Sequence, residues 1–261
     1  MIATQQHVFR WWRILATGFS FALFGIGCFI LGLLLLCLLL PLPLPRLTKQ
    51  AITRNILRFA ARVYLRTLKF FGLITYEFAA QQSLASGGQL FIANHPTLLD
   101  AIFLMAFLPN PNCVVKGAMA NNLFTWALVN LAGYISNQRN GIDLLEQAVA
   151  VLRSGQNLLI FPEGTRTENS QDLRFKRGAA NIALRAGCPI RPVLIDCQPI
   201  TLRKHEAWYQ VPASPPHYQL RVLDPILAHQ CIDTNQPEGI QARRLTRYWI
   251  DLFAQQLQPQ S

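Results

Sequence analysis

The stretch whose reading decides the fold is FIANHPTLLDAIFL, Phe91–Leu104. It opens on apolar residues, breaks at His95-Pro96 and turns apolar again after Asp100. The residue before a proline is driven into extended backbone, so a strand ends at His95. Proline is well tolerated in the first turn of a helix, so a helix begins there at once. The spacing thus predicts a strand over Gln89–Asn94 and a helix over Thr97–Phe107. Were the whole stretch helical, residues five apart would stand roughly 140° apart, and His95 and Asp100 would share no face. Across a strand-to-helix junction, Asp100 lies about one turn into the helix and can reach back to the imidazole. A carboxylate on one ring nitrogen fixes the tautomer and leaves the other nitrogen free as a base. A lone His-x4-Asp spacing is nevertheless weak, and it carries weight only beside a second motif.

Outward from this junction, short apolar runs alternate with helical stretches. Further strands are expected over Cys113–Lys116, Tyr134–Ser136, Asn157–Phe161, Ile190–Ile195 and Tyr218–Val222. Further helices are expected over Leu123–Leu131, Ile142–Ser154, Gly178–Arg185 and Gln241–Gln256. This alternation predicts an α/β domain, a mixed and largely parallel sheet flanked by helices, over residues 73–261. Sites in such folds gather at the carboxyl ends of the strands, where His95 falls.

Residues 1–72 read differently. Ile14–Leu40 is a run of 27 residues without a charge, with Trp11 and Trp12 at its start. About 20 apolar residues span a bilayer core, so a retained membrane helix is expected. A cleaved signal peptide fits worse, because the run is too long and no small-x-small site follows it. A hairpin within one leaflet, hinged near Gly25–Gly27, is the minor alternative. The net charge of +11 is concentrated here: residues 1–76 hold nine Lys/Arg and no Asp or Glu. Arg54, Arg58, Arg62, Arg66 and Lys69 recur every three or four residues. They predict a basic amphipathic helix on a surface of anionic lipid, in preference to nucleic acid or plain solvent. Seven basic residues follow the apolar run against two before it, which places the main domain on the cytoplasmic side of the inner membrane. The six cysteines are scattered, so neither a disulfide framework nor a metal site is expected.

The second motif is NLLIFPEGTRT, Asn157–Thr167, a buried strand running into a polar turn. Gly164 permits a sharp turn or a close backbone approach to a ligand. Arg166 offers a planar fork suited to phosphate, and Glu163 can hold that fork or accept from a hydroxyl.

Together NHPTLLD and FPEGTRT resemble the lysophospholipid and glycerophosphate acyltransferase family, the group that contains 1-acylglycerol-3-phosphate acyltransferase. FKRGA, CPIRPVLI, VVKGA and GYISNQR occupy the places of further family blocks. The resemblance implies transfer of a fatty acyl group from acyl-carrier protein or coenzyme A thioester to a lysophospholipid hydroxyl, with no other cofactor and no metal. It implies that His95 is the general base and Asp100 its partner. Glu163, Gly164, Thr165, Arg166, Arg139 and Lys116 would then hold the acceptor, the basic groups gripping its anionic headgroup. The chain departs from the family at Ser136-Asn137-Gln138, where a hydrophobic pair and an acid are usual, so the acceptor headgroup stays open. No G-x-S-x-G elbow is present, consistent with direct attack on the thioester. A lipid hydrolase using the same His95, or a noncatalytic lipid-binding protein, are the rival classes.

Overall fold

The computed structural model describes residues 2–80, 84, 87–138, 140–166, 173–233 and 235–257, with side chains from 10 onward. Among these residues seven strands form one sheet: β1 (Thr75–Ala80), β2 (Leu90–Ala93), β3 (Asn112–Val115), β4 (Ile135–Ser136), β5 (Leu158–Ile160), β6 (Ile190–Gln198) and β7 (His217–Val222). Their spatial order is β1-β7-β6-β2-β5-β3-β4, and only β6 and β7 run antiparallel. The mixed, largely parallel sheet expected from the sequence is therefore present. β1 was not anticipated. It is an edge strand with little burial, so its sequence TYEFAA lacks the apolar run that marks the central strands.

Helices cover both faces, because side chains alternate across a strand. Phe91 and Ala93 of β2 face a core shared with α2 (Arg46–Phe70) and α3 (Asp100–Phe107). Leu90 and Ile92 face the opposite core, built with α6 (Gly141–Arg153), α7 (Gly178–Ala186) and α9 (Glu238–Leu257). Trp249 and Phe253 of α9 are fully buried there.

α1 (Ile2–Leu39) runs unbroken through Gly25 and Gly27, so the chain does not hinge there. It reverses instead in the proline-rich segment before Arg46, and α2 returns antiparallel to it: Trp12 and Phe19 meet Phe71, Phe24 meets Tyr64, and Leu35 and Leu39 pack with Leu57. Leu128 and Ala132 of α5 (Trp126–Ala132) complete this last cluster. Among the described residues, Arg10–Leu39 is the one helix long and apolar enough to cross a membrane. Leu15, Phe19, Leu23, Ile26, Ile30, Leu33 and Leu38 form an exposed stripe along it, with Phe59, Val63 and Phe70 exposed on α2. Exposed apolar area of this extent marks an interaction surface and is consistent with membrane association.

The basic stripe of α2 does not all face outward. Arg54 is only 4% exposed and donates to Asn110 Oδ1, the Ala132 carbonyl and Gln156 Oε1. Arg58 donates to the Ala106 and Phe107 carbonyls, and Arg62 to the Ala106 carbonyl. These carbonyls end α3, where a helix has unpaired acceptors and partial negative charge. Burial depresses the pKa of both Arg54 and Arg58 from the ordinary guanidinium range. Arg66 and Lys69 alone of the five are exposed.

Candidate active site

Two strand ends bring the motifs together. β2 and β5 are parallel neighbours in the register Leu90↔Leu158 and Ile92↔Ile160. The same offset carried three residues past the last pair sets His95 beside Glu163. The contact confirms it: the His95 backbone N–H donates to Glu163 Oε1 at 3.0 Å. Glu163, expected from the sequence among the substrate-binding groups, is buried and accepts from the backbone of His95. Asn94 pins the other side of the junction to β6, exchanging two hydrogen bonds with the backbone of Ile195.

α3 begins at Asp100, three residues later than the sequence predicted, and Thr97–Leu99 form a turn. The reason lies in the Asp100 side chain. Its Oδ2 accepts from the Thr97 backbone N–H at 2.7 Å, and its Oδ1 from the Thr97 hydroxyl at 2.6 Å. Oδ2 also lies 2.9 Å from His95 Nδ1. Both Thr97 groups are donors to the carboxylate, so the consistent tautomer carries the imidazole proton on Nδ1 and leaves the lone pair on Nε2. Asp100 is fully buried and the His95 side chain is 17% exposed. Phe161 stacks on the imidazole at 4.3 Å between ring centroids, fixing its plane. Thr97 and Phe161 were not singled out from the sequence, although both lie inside the two motifs.

Under the dyad lies Tyr218, whose burial, followed by its nearness to Cys197 and Asp100, holds its phenol well above the ordinary range. Burial likewise pushes the Cys197 thiol up to about 12. Both groups therefore stay protonated at neutral pH, and neither is an anionic nucleophile.

At the end of β5 the chain turns through Gly164, whose φ of +71° favours glycine. A Cβ there would also sit 2.9 Å from the Lys176 ammonium, so this cation lies directly on the turn. Thr165 Oγ1 is buried with no hydrogen-bond partner among the described residues. Arg166 is not held by Glu163. Its Nη1 donates to the Leu202 carbonyl at 2.7 Å and the Arg203 carbonyl at 3.1 Å. Leu202 adopts a left-handed φ of +52° at that place, a conformation that costs about 1–2 kcal/mol for such a residue. The Arg166 edge carrying Nε and Nη2 makes no hydrogen bond among the described residues, so half of the fork remains available.

Lys116 is exposed just past the end of β3, two strands from His95. Arg139 lies outside the described residues. The polar run before it has a structural use: Asn137 Oδ1 accepts from the Gly117 N–H at 2.9 Å, and the Gln138 amide lies where a Gly117 side chain would stand. Gln138 Oε1 also accepts from Asn121.

Residues 75–196, the strand that opens the sheet through the middle of β6, match the Acyltransferase family. Over these residues the chain is similar to the acyltransferase family. Among curated relatives, mouse 1-acyl-sn-glycerol-3-phosphate acyltransferase alpha is 34% identical over 145 residues, covering 52% of this chain and 48% of the mouse protein. The Saccharomyces cerevisiae 1-acyl-sn-glycerol-3-phosphate acyltransferase is 28% identical over the same length and the same shares. The chain therefore spans about half the length of the curated relatives it matches. The crystal structure of 1-acyl-sn-glycerophosphate acyltransferase from Thermotoga maritima superposes with a TM-score of 0.70 over 95% of this chain and 98% of that one. At 16% identity that likeness speaks to the fold alone, and it extends beyond the acyltransferase domain to almost the whole chain.

Proposed function

We propose that the protein is an O-acyltransferase that moves a fatty acyl group from a thioester, on acyl-carrier protein or coenzyme A, to the free hydroxyl of 1-acylglycerol-3-phosphate. The observation that carries this reading is the buried Asp100 holding His95 by Nδ1, which leaves Nε2 with its lone pair and no hydrogen-bond partner among the described residues. Nε2 takes the proton of the acceptor hydroxyl as its oxygen bonds to the thioester carbonyl carbon. The carbon–sulfur bond then breaks, and the thiolate recovers the proton from the imidazolium, which Asp100 stabilises meanwhile. Arg166 offers its free Nε–Nη2 edge to the acceptor phosphate, Lys116 and Lys176 add charge near it, and Arg139 follows the family pattern as a further phosphate ligand. The names of the curated relatives support the phosphate-bearing acceptor.

The exposed apolar stripe on α1 supports a cytoplasmic-membrane location, and the seven basic residues after the apolar run against two before it support a domain on the cytoplasmic face. There the anionic lipid surface meets Arg66 and Lys69 rather than the whole basic stripe. The experiment is incubation of the purified protein with labelled acyl thioester and a panel of lysolipids with and without phosphate. Labelled phosphatidate is the expected product. Labelled free fatty acid would instead identify a hydrolase, and no product a noncatalytic lipid-binding protein.

A further inference from the structure

Between β3 and α5 the chain makes α4 (Gly117–Ala120) and a turn over residues 121–125. The turn is held by its own polar groups. Asn122 Oδ1 accepts from the Phe124 N–H, the Asn122 carbonyl from the Thr125 and Trp126 N–H groups, and the Met119 carbonyl from the Thr125 hydroxyl. Its large apolar side chains are left outside: Leu123 is 73% exposed, and Met119, Phe124 and Trp126 are each nearly half exposed. The Phe124 ring meets that of Phe29 on α1 at 6.1 Å between centroids, and a Cβ on Gly32 of α1 would stand 3.0 Å from that of Ala127. On α1, Ile26 and Leu33 lie a turn to either side of Phe29, and all three are exposed. The turn thus continues the apolar stripe of α1 onto the body of the acyltransferase domain. Residues 101–142 contain Lys116 and Arg139 but no Asp or Glu, and residues 1–76 contain no acid either.

We propose that this turn is a membrane foot of the domain: Leu123, Phe124 and Trp126 enter the lipid leaflet that receives the stripe of α1, to the depth of the headgroup boundary. Three observations make lipid the occupant. The patch is continuous with the stripe of α1, it carries an indole whose polar N–H suits that boundary, and no acid beside it repels anionic headgroups. Asn121, Asn122 and Asn130, exposed around it, would lose their water in hydrocarbon, which sets the depth. The inference rests on the membrane location proposed above and not on the reaction. It also orients the domain, because the foot follows directly on Lys116 past the end of β3 and so turns that end of the sheet toward the lipid surface.

Trp126 supplies the readout. The full-length protein with Trp11→Phe, Trp12→Phe and Trp208→Phe keeps Trp126 and the fully buried Trp249, and the further change Trp126→Phe gives the Trp249 background. Both are reconstituted in vesicles of phosphatidylcholine and phosphatidylglycerol whose acyl chains carry bromine near the carbonyl end or near the methyl end. Trp126 should lose most of its emission to the shallow bromines and less to the deep ones. Emission unchanged by either, in protein that floats with the vesicles, overturns the foot and leaves the membrane location standing. Stronger quenching by the deep bromines overturns the boundary placement. Protein that does not float overturns the membrane location and the foot with it. Hydroxyl-radical footprinting of the wild-type protein in the same vesicles needs no substitution. Met119, Phe124 and Trp126 should be protected, while Tyr248, exposed on α9 across the sheet, is oxidised. Oxidation of Phe124 and Trp126 as fast as Tyr248 overturns the proposal, and protection without bromine quenching assigns the patch to a second copy of the chain instead.

Discussion

Thr97→Val tests how the dyad is held. Thr97 is fully buried, and valine replaces its hydroxyl with a methyl group of nearly the same shape. The change removes the 2.6 Å bond to Asp100 Oδ1 and leaves the 2.7 Å backbone bond and the 2.9 Å contact with His95. A hydrogen bond to a charged group contributes about 1.5–3 kcal/mol, equivalent to roughly 10- to 150-fold. Two of the three contacts on Asp100 survive, so the loss should lie at the lower end, about tenfold in kcat. Thr97 acts through Asp100 and is a positioning residue, so the KM for acceptor and donor should stay nearly unchanged. Thr97→Ser keeps the hydroxyl and should keep most of the rate. Steady-state transfer of a labelled acyl group, measured over both substrate concentrations, separates these effects. A Thr97→Val kcat within about twofold of wild type would refute the positioning role. An equal loss in Thr97→Ser would show that the γ-methyl, and not the hydroxyl, is what matters.

Arg166→Lys keeps the charge and loses the fork, so the acceptor KM should rise about tenfold or more while the donor KM holds; unchanged preference for phosphate-bearing acceptors would contradict the headgroup role. Arg58→Gln with Arg62→Gln removes the cations that cap α3, and thermal melting should report a loss of about 2 kcal/mol or more; unaltered melting with weakened vesicle binding would return these arginines to the membrane surface. Burial pushes the thiols of Cys113 and Cys197 up to about 12 and that of Cys188 up to about 11, so maleimide at neutral pH should label none of them until the protein is denatured. Mass spectrometry of native digests checks this, and rapid native labelling of Cys113 or Cys197 would show that the core around them opens.

The sheet and the dyad were legible because each rests on local rules. Proline forces its predecessor into extended backbone, and buried parallel strands are continuous apolar runs. What escaped the sequence depends on partners distant along the chain. Arg54, Arg58 and Arg62 have the spacing of a lipid-facing stripe, yet the ends of α3 and α5 supply the carbonyls that turn them inward. Arg166 reads as a fork that Glu163 can hold, but the carbonyls that hold it lie 36 and 37 residues away. Glu163 reads as a ligand group, and its contact with the His95 backbone emerges only with the β2–β5 register. Ser136-Asn137-Gln138 reads as a change of acceptor site, whereas two of its side chains pack on or bond to Gly117 and Asn121. Arg13 carries no periodic or motif signal at all, and its burial follows from the way the 201–216 segment crosses α1.

The central claim is that His95, oriented by Asp100, takes the proton from an acceptor hydroxyl. Its most direct test is transfer of a labelled acyl group from thioester to lysophosphatidate by wild type and by His95→Ala, both shown to be folded by thermal melting. General-base catalysis contributes about 10²–10⁴-fold, so wild type should form labelled phosphatidate and His95→Ala should be slower by at least the lower of these factors, with melting little changed. A folded His95→Ala protein that forms phosphatidate at near the wild-type rate would contradict the account.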